Sequence, residues 1–182
     1  MRVLVLSHNR SDSNDAYNHR LRSLGRALAR AGAEVSVAYL GDGPLGRPTF
    51  LHALKAWRVP GAAEADVLHA GSAASAFACA FLPRERRRRL VFDMHGDTVA
   101  EARLLGDASP LSGPLRVLQE KIKEGVGLRS SARVVVVSEP LRAHVRSLGV
   151  EADRIAVVRN GVDLALFAPA GPVPCRDEPL VT

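Results

Sequence analysis

Residues 28–40, Leu-Ala-Arg-Ala-Gly-Ala-Glu-Val-Ser-Val-Ala-Tyr-Leu, carry the chain from one hydrophobic period to another. Upstream, Leu21, Leu24, Leu28 and Ala31 recur three and four apart, with Arg20, Arg22, Arg26 and Arg30 mostly on the other side, which is the pattern of an amphipathic helix. Ser13 or Asn14 would cap its start. Gly32 would close its end, because glycine takes the left-handed conformation of a C-cap without a Cβ clash. Glu34 to Leu40 then reads as a strand, and Gly32-Ala33 has the length of a helix-to-strand turn. Before the helix, Val3-Leu4-Val5-Leu6 is continuously apolar, as a strand covered on both faces of a parallel sheet must be. Residues 3–40 are therefore a βαβ unit.

The same alternation continues outward. Asp66 to His69, Leu90 to Asp93, Arg133 to Val137 and Ile155 to Val158 read as four more strands. Between them lie helical patterns: Thr49 to Arg58, with Phe50, Leu51, Leu54 and Trp57 on one side; Ala73 to Leu82, capped by Ser72 and stopped by Pro83; and Leu115 to Leu128, with Leu115, Leu118, Ile122 and Val126 in register. A last helix starts at Ser138-Glu139-Pro140 and ends at Gly149. This order predicts an α/β fold: a doubly wound, Rossmann-like parallel sheet of about six strands flanked by helices, occupying residues 1–168. Residues 169–182 read as a Pro/Gly linker leading into a strand that begins at Pro179.

Composition narrows the function. With 182 residues, 47% hydrophobic and 24% charged, the chain has the balance of a folded globular domain. No apolar run approaches the roughly 18 residues of a membrane span, and Ser7-His8-Asn9-Arg10 interrupts the first strand too early for a signal peptide, so the expected location is the cytoplasm. Cys79 and Cys175 fit neither a disulfide scaffold nor a zinc site. Most of the net charge of +6 sits at Arg84, Arg86, Arg87, Arg88 and Arg89. A solvated helix end is the preferred reading of this run, and peripheral contact with an anionic inner membrane face is the functional one. Aromatic residues are 4% of the chain and none interleaves the arginines, which argues against nucleic acid. Gly41 to Gly46 satisfies G-x-G-x-x-G but follows the second strand rather than the first, and it reads as a plain turn. The sequence lacks Walker, G-x-S-x-G, D-x-D and H-E-x-x-H motifs, so it offers no signal for P-loop, hydrolase or metal chemistry.

Doubly wound sheets bind ligands beyond the carboxyl ends of their strands. That rule selects His8, Asn9 and Arg10 after the first strand, Gly71 and Ser72 after the third, His95, Gly96 and Asp97 after the fourth, and Ser138 and Glu139 after the fifth. His95 should face the crevice, and Asp93, two residues earlier and pointing the same way, would orient it or cap the sheet edge. Arg159-Asn160-Gly161-Val162-Asp163 leaves the sixth strand by an Asn-Gly turn.

Several of these stretches together resemble one family. Val134-Val135-Val136-Val137-Ser138-Glu139, Leu148-Gly149-Val150, Arg154-Ile155-Ala156-Val157-Val158 and Asn160-Gly161-Val162-Asp163 with Phe167 and Pro169 resemble the end of the N-terminal domain of GT-B retaining glycosyltransferases of family 4. Leu90 to Gly96 resembles the family's strand and His loop, and Leu24 to Val37 its first helix and second strand. The resemblance implies a transferase, of hexosyltransferase type and bacterial kind, moving sugar from a nucleotide-sugar donor to a glycan, lipid or small-molecule acceptor, without a cofactor or metal. It implies that His95 lies at the reaction centre, that Arg159, Asn160, Gly161 and Asp163 belong to the crossover between domains, and that residues 169–182 begin a donor-binding domain. No Glu pair here has the family's E-x7-E spacing, so this chain alone is expected to be inactive. Two positions depart from the family: the first loop, Ser7 to Asp12, has no glycine, and Arg159 stands where proline is usual. The alternative from another class is a non-catalytic, single-domain module for a nucleotide or sugar phosphate.

Overall fold

The computed structural model describes residues 1–13, 16–42, 55–104 and 112–161. In chain order these form β1 (Arg2–Ser7), α1 (Ala16–Arg30), β2 (Glu34–Tyr39), β3 (Val67–Ala70), α2 (Ala73–Cys79), α3 (Arg84–Arg87), β4 (Leu90–Met94), α4 (Thr98–Leu104), α5 (Ser112–Ser130), β5 (Arg133–Val136), α6 (Glu139–Ser147) and β6 (Ile155–Val157). The strands make one parallel sheet in the order β2-β1-β3-β4-β5-β6, with Val3 level with Val35 and Val67, and Phe92 level with Val134. The expected doubly wound sheet is present. Its strand order reverses beside β1, and this is where such sheets open a crevice at their carboxyl ends.

The period of two along β1 explains the layers. Leu4 and Leu6 join Leu68, Leu90, Phe92, Val134 and Val136 in the larger core, while Val3 and Val5 face α1 through Leu21. Burying each such side chain contributes about 1.5–3 kcal/mol. Gly32 and Gly149, at φ +86° and +87°, close α1 and α6 in the left-handed region that other residues enter only under strain.

Three details differ from the sequence reading. Thr98–Leu104 is a helix to which the sequence reading assigned no element; Asp97 Oδ1 accepts from Ala100 N at 2.8 Å and caps it. In α5 the expected apolar stripe faces outward: Leu115, Leu118 and Ile122 are 54%, 52% and 49% exposed. The buried face is instead Glu124, Gly127 and Leu128, because a Cβ on Gly127 would lie 3.0 Å from Ala76 Cβ. Small residues let α2 and α5 approach closely, and that contact decides which way α5 is turned. Third, Arg20 points inward. Of the helix expected at 49–58, residues 55–58 are helical and 49–54 lie outside the described residues, as do Asn14, Asp163 and the linker.

No helix among the described residues is long and apolar enough to cross a membrane. Cys79 is buried, and burial pushes its thiol up to about 12, so it serves as a small apolar side chain.

Candidate functional site

Asp93 occupies the centre of the carboxyl-end cluster. It sits on β4, the fourth of five residues whose neighbours Phe92 and Met94 are buried, and its own side chain is fully buried. Arg20 Nη2, reaching across from α1, donates to both carboxylate oxygens at 3.0 and 3.2 Å. His69 on β3 brings Nε2 to 3.2 Å of Oδ2. His95 Nδ1 lies 3.4 Å from Oδ1, without the alignment of a hydrogen bond. Burial alone would raise the carboxyl's pKa, and the imidazoles of His69 and His95 outweigh it, holding Asp93 well below the usual carboxylate range. Arg20 Nη1 also donates to Asn160 Oδ1, tying the segment after β6 to the same group.

Around this hub the first loop is built by buried polar groups instead of glycines. Asn18, 0% exposed, accepts from Ser7 Oγ at 3.1 Å and donates to the carbonyls of Arg10 and Ser13 at 2.9 and 3.0 Å. Asp42 Oδ1 accepts from Ser11 N at 2.9 Å and pins the loop's far side. Gly41 serves this packing, since a Cβ there would lie 2.6 Å from the Asn9 carbonyl. His8 stands at the end of β1 with its ring 5.0 Å from Tyr17, and Tyr17 is in turn 5.3 Å from His95, so the three rings line one wall. Gly71 makes room for that wall: a Cβ would meet Tyr17 Oη at 2.7 Å and Leu21 Cδ2 at 2.6 Å.

The other expected residues fall into place differently. Arg10 is exposed and paired with Asp12 at 2.8 Å. Ser72 and Ser138 are occupied as N-caps, of α2 and α6, and Glu139 is exposed, 3.5 Å from Arg142. Arg159, Asn160 and Gly161 are exposed beyond β6. Gly96 joins His95 to Asp97, and Asp97 leads into a second cluster: His144 Nε2 is 3.3 Å from Glu124 Oε1 and 3.8 Å from Asp97 Oδ2. One donor atom from each of Asp97, Glu124 and His144 lies within 4.8 Å of the others, a set that could hold a divalent cation. The imidazole bridging the two acids satisfies the same geometry without one. Glu124 is raised, mainly by burial. Arg84 to Arg89 precede β4 and so lie at the opposite end of the sheet, with Arg89 donating to the Ala65 carbonyl at 3.0 Å.

Sequence reasoning missed Arg20 and Tyr17, and it placed His69 at the end of the third strand without pairing it to Asp93. The signal for Arg20 was its spacing: it follows Tyr17 by three on α1, the same face that delivers Leu21 to the core.

The comparisons with known proteins concern this same span. A family model described as Glycosyltransferase Family 4 matches residues 18–166. Among solved structures, the sucrose-phosphate synthase of Thermosynechococcus elongatus aligns with TM-score 0.69 and 19% identity over 93% of this chain and 50% of its own. Anabaena HepE in complex with UDP and glucose aligns with TM-score 0.57 and 18% identity, over 92% of this chain and 46% of its own. HepE in complex with UDP-glucose aligns with TM-score 0.50 and 17% identity over the same shares. The chain thus spans about half the length of these structures, and at such identities the likeness is one of fold. No curated protein matches the chain.

Proposed function

The chain belongs to glycosyltransferase family 4, and from that premise we propose that it is the acceptor-side domain of a retaining glycosyltransferase, moving a hexose from a nucleotide sugar to a glycan, lipid or small-molecule acceptor. The observation that carries the reading is His95 at the carboxyl end of β4, beside the Asp93 hub and within the matched span. A uridine-diphosphate sugar is the donor type best supported, since HepE, a neighbour in fold, holds UDP and UDP-glucose.

In this reading a second α/β domain closes over the loops after β1, β3, β4 and β5. Closure excludes water and brings acceptor oxygen and anomeric carbon into reacting geometry. His8, Asn9 and Asp97 shape the acceptor side and His95 touches the donor sugar, while the leaving diphosphate is met by positive groups and helix N-termini. Arg159, exposed just after β6, is a candidate for that contact. The scheme needs no metal. The arginines before β4 lie at the far end of the sheet, so their contact with an anionic membrane surface would leave the cleft open.

The reading is tested by assaying UDP-glucose turnover with this chain alone and with the complete reading frame that contains it. The chain alone is expected to fold and give neither transfer nor donor hydrolysis, and the complete enzyme to give transfer. Turnover by the 182 residues alone would contradict the division between domains.

A further inference from the structure

The Asp93 carboxylate has more partners than its charge requires. Arg20 alone balances it, through two hydrogen bonds at 3.0 and 3.2 Å. His69 and His95 approach the same oxygens at 3.2 and 3.4 Å. With the charge already paired, one N–H from each imidazole is all that the carboxylate can still use. A carboxylate can only accept, so the ring nitrogen beside it carries the proton. For His69 that nitrogen is Nε2, and for His95 it is Nδ1. Both ring nitrogens of His95 are shielded from solvent and lack an aligned hydrogen bond among the described residues; Nδ1 has the Asp93 carboxylate at 3.4 Å, and for Nε2 the structure shows no partner. A shielded polar atom left in that state calls for a partner from outside the chain.

We infer that Asp93, gripped by Arg20, is a positioning residue for His95: it fixes the imidazole in the Nδ1–H form, so that Nε2 meets the bound ligand as a hydrogen-bond acceptor. For the identity of that ligand the inference rests on the glycosyl-transfer reading. For the tautomer it does not. An acceptor nitrogen takes a hydrogen from a hydroxyl and offers nothing to a phosphate oxygen. His95 therefore contacts a sugar hydroxyl, and the diphosphate is held elsewhere. Arg20 extends the same control to the crossover, because its second Nη donates to Asn160. A single buried carboxylate thus links α1, β3 and β4, and through Arg20 also residue 160.

The test is nuclear magnetic resonance on the 15N-labelled chain, with His95 assigned through His95→Gln and the two-bond ring correlations recorded at a pH where the imidazoles are neutral. His95 is expected to show a protonated Nδ1 and a bare Nε2, and Asp93→Asn to shift the population towards Nε2–H. Added inorganic phosphate is expected to leave the His95 Nε2 resonance in place. An Nε2–H form in the unmodified chain would overturn the inference whether or not Asp93→Asn folds. A tautomer unchanged in a folded Asp93→Asn, or an Nε2 shift that follows phosphate, would overturn it as well. Absence of transferase activity would sink the proposed function while leaving this result standing, so the two failures are distinguishable.

Discussion

Asp93 on β4 and Glu124 on α5 are both buried acids with an imidazole beside them, yet Asp93 is held below the usual carboxylate range and Glu124 is raised from its ordinary value. Burial opposes ionisation at both, and the partners decide the outcome. Asp93 has a guanidinium and two imidazoles around it, whereas Glu124 has His144, the weak reach of Thr98 at 3.5 Å, and a second carboxylate, Asp97, across the same imidazole. The sheet's carboxyl end therefore holds an ionised carboxylate paired by Arg20, while the helices behind it hold an acid that resists ionising. A carboxylate kept ionised is what the role proposed for Asp93, orienting His95, requires.

The strongest way to break this contrast is Asp93→Asn. It leaves Arg20 mostly buried without its counter-charge, and the expected loss is ~3–5 kcal/mol of unfolding free energy at neutral pH, read by urea denaturation. A loss under about 1 kcal/mol would mean that solvent, not Asp93, satisfies the arginine. Acid titration separates the two acids by sign. Asp93 binds its proton less readily folded than unfolded, so its contribution is present above the ordinary carboxylate value of about 3.9 and fades as pH falls below it. Glu124 binds its proton more readily folded, so its contribution is present below about 4.3 and is lost as pH rises through its raised value. Asp93→Asn should accordingly flatten the acid limb of the stability profile. Glu124→Gln should change neutral-pH stability by no more than about 1 kcal/mol and remove the opposing gain on acidification. The smallest effect is expected at the far end of the sheet: Arg86, Arg87 and Arg88 changed to Gln should alter stability within about 0.5 kcal/mol. The same triple variant should weaken salt-sensitive sedimentation with anionic vesicles, and equal sedimentation would remove the membrane contact from the reading.

The sheet was legible because buried parallel strands are written as apolar runs, and Val3 to Leu6, Leu90 to Asp93 and Arg133 to Val137 needed no further information. The turn of α5 was not, because Gly127 against Ala76 is a contact between residues that hydrophobic periodicity scores as weak. The candidate site was legible to the same degree. His95 and Asp93 followed from the rule for strand ends. The pairing of Arg20 and His69 with Asp93 did not, since an arginine on an amphipathic helix and a histidine at a strand's end acquire that role only when α1 and β3 are laid beside β4. The α4 helix was hidden by its brevity, seven residues whose decisive feature is the Asp97 cap.

The central claim is that the chemistry lies at the carboxyl end of β4, with His95 as the group that touches the reacting sugar. It is tested most directly by steady-state turnover of UDP-glucose in the complete enzyme carrying His95→Ala, with melting temperature measured in parallel and His8→Ala as the control. The account predicts kcat lower by on the order of 10²-fold or more, with the melting temperature nearly unchanged, for a side chain that is 21% exposed. It predicts that His8→Ala acts mainly on the KM for the acceptor. Full activity in His95→Ala together with several degrees of lost stability would contradict it, and would make His95 a packing partner of Tyr17 and Asp93.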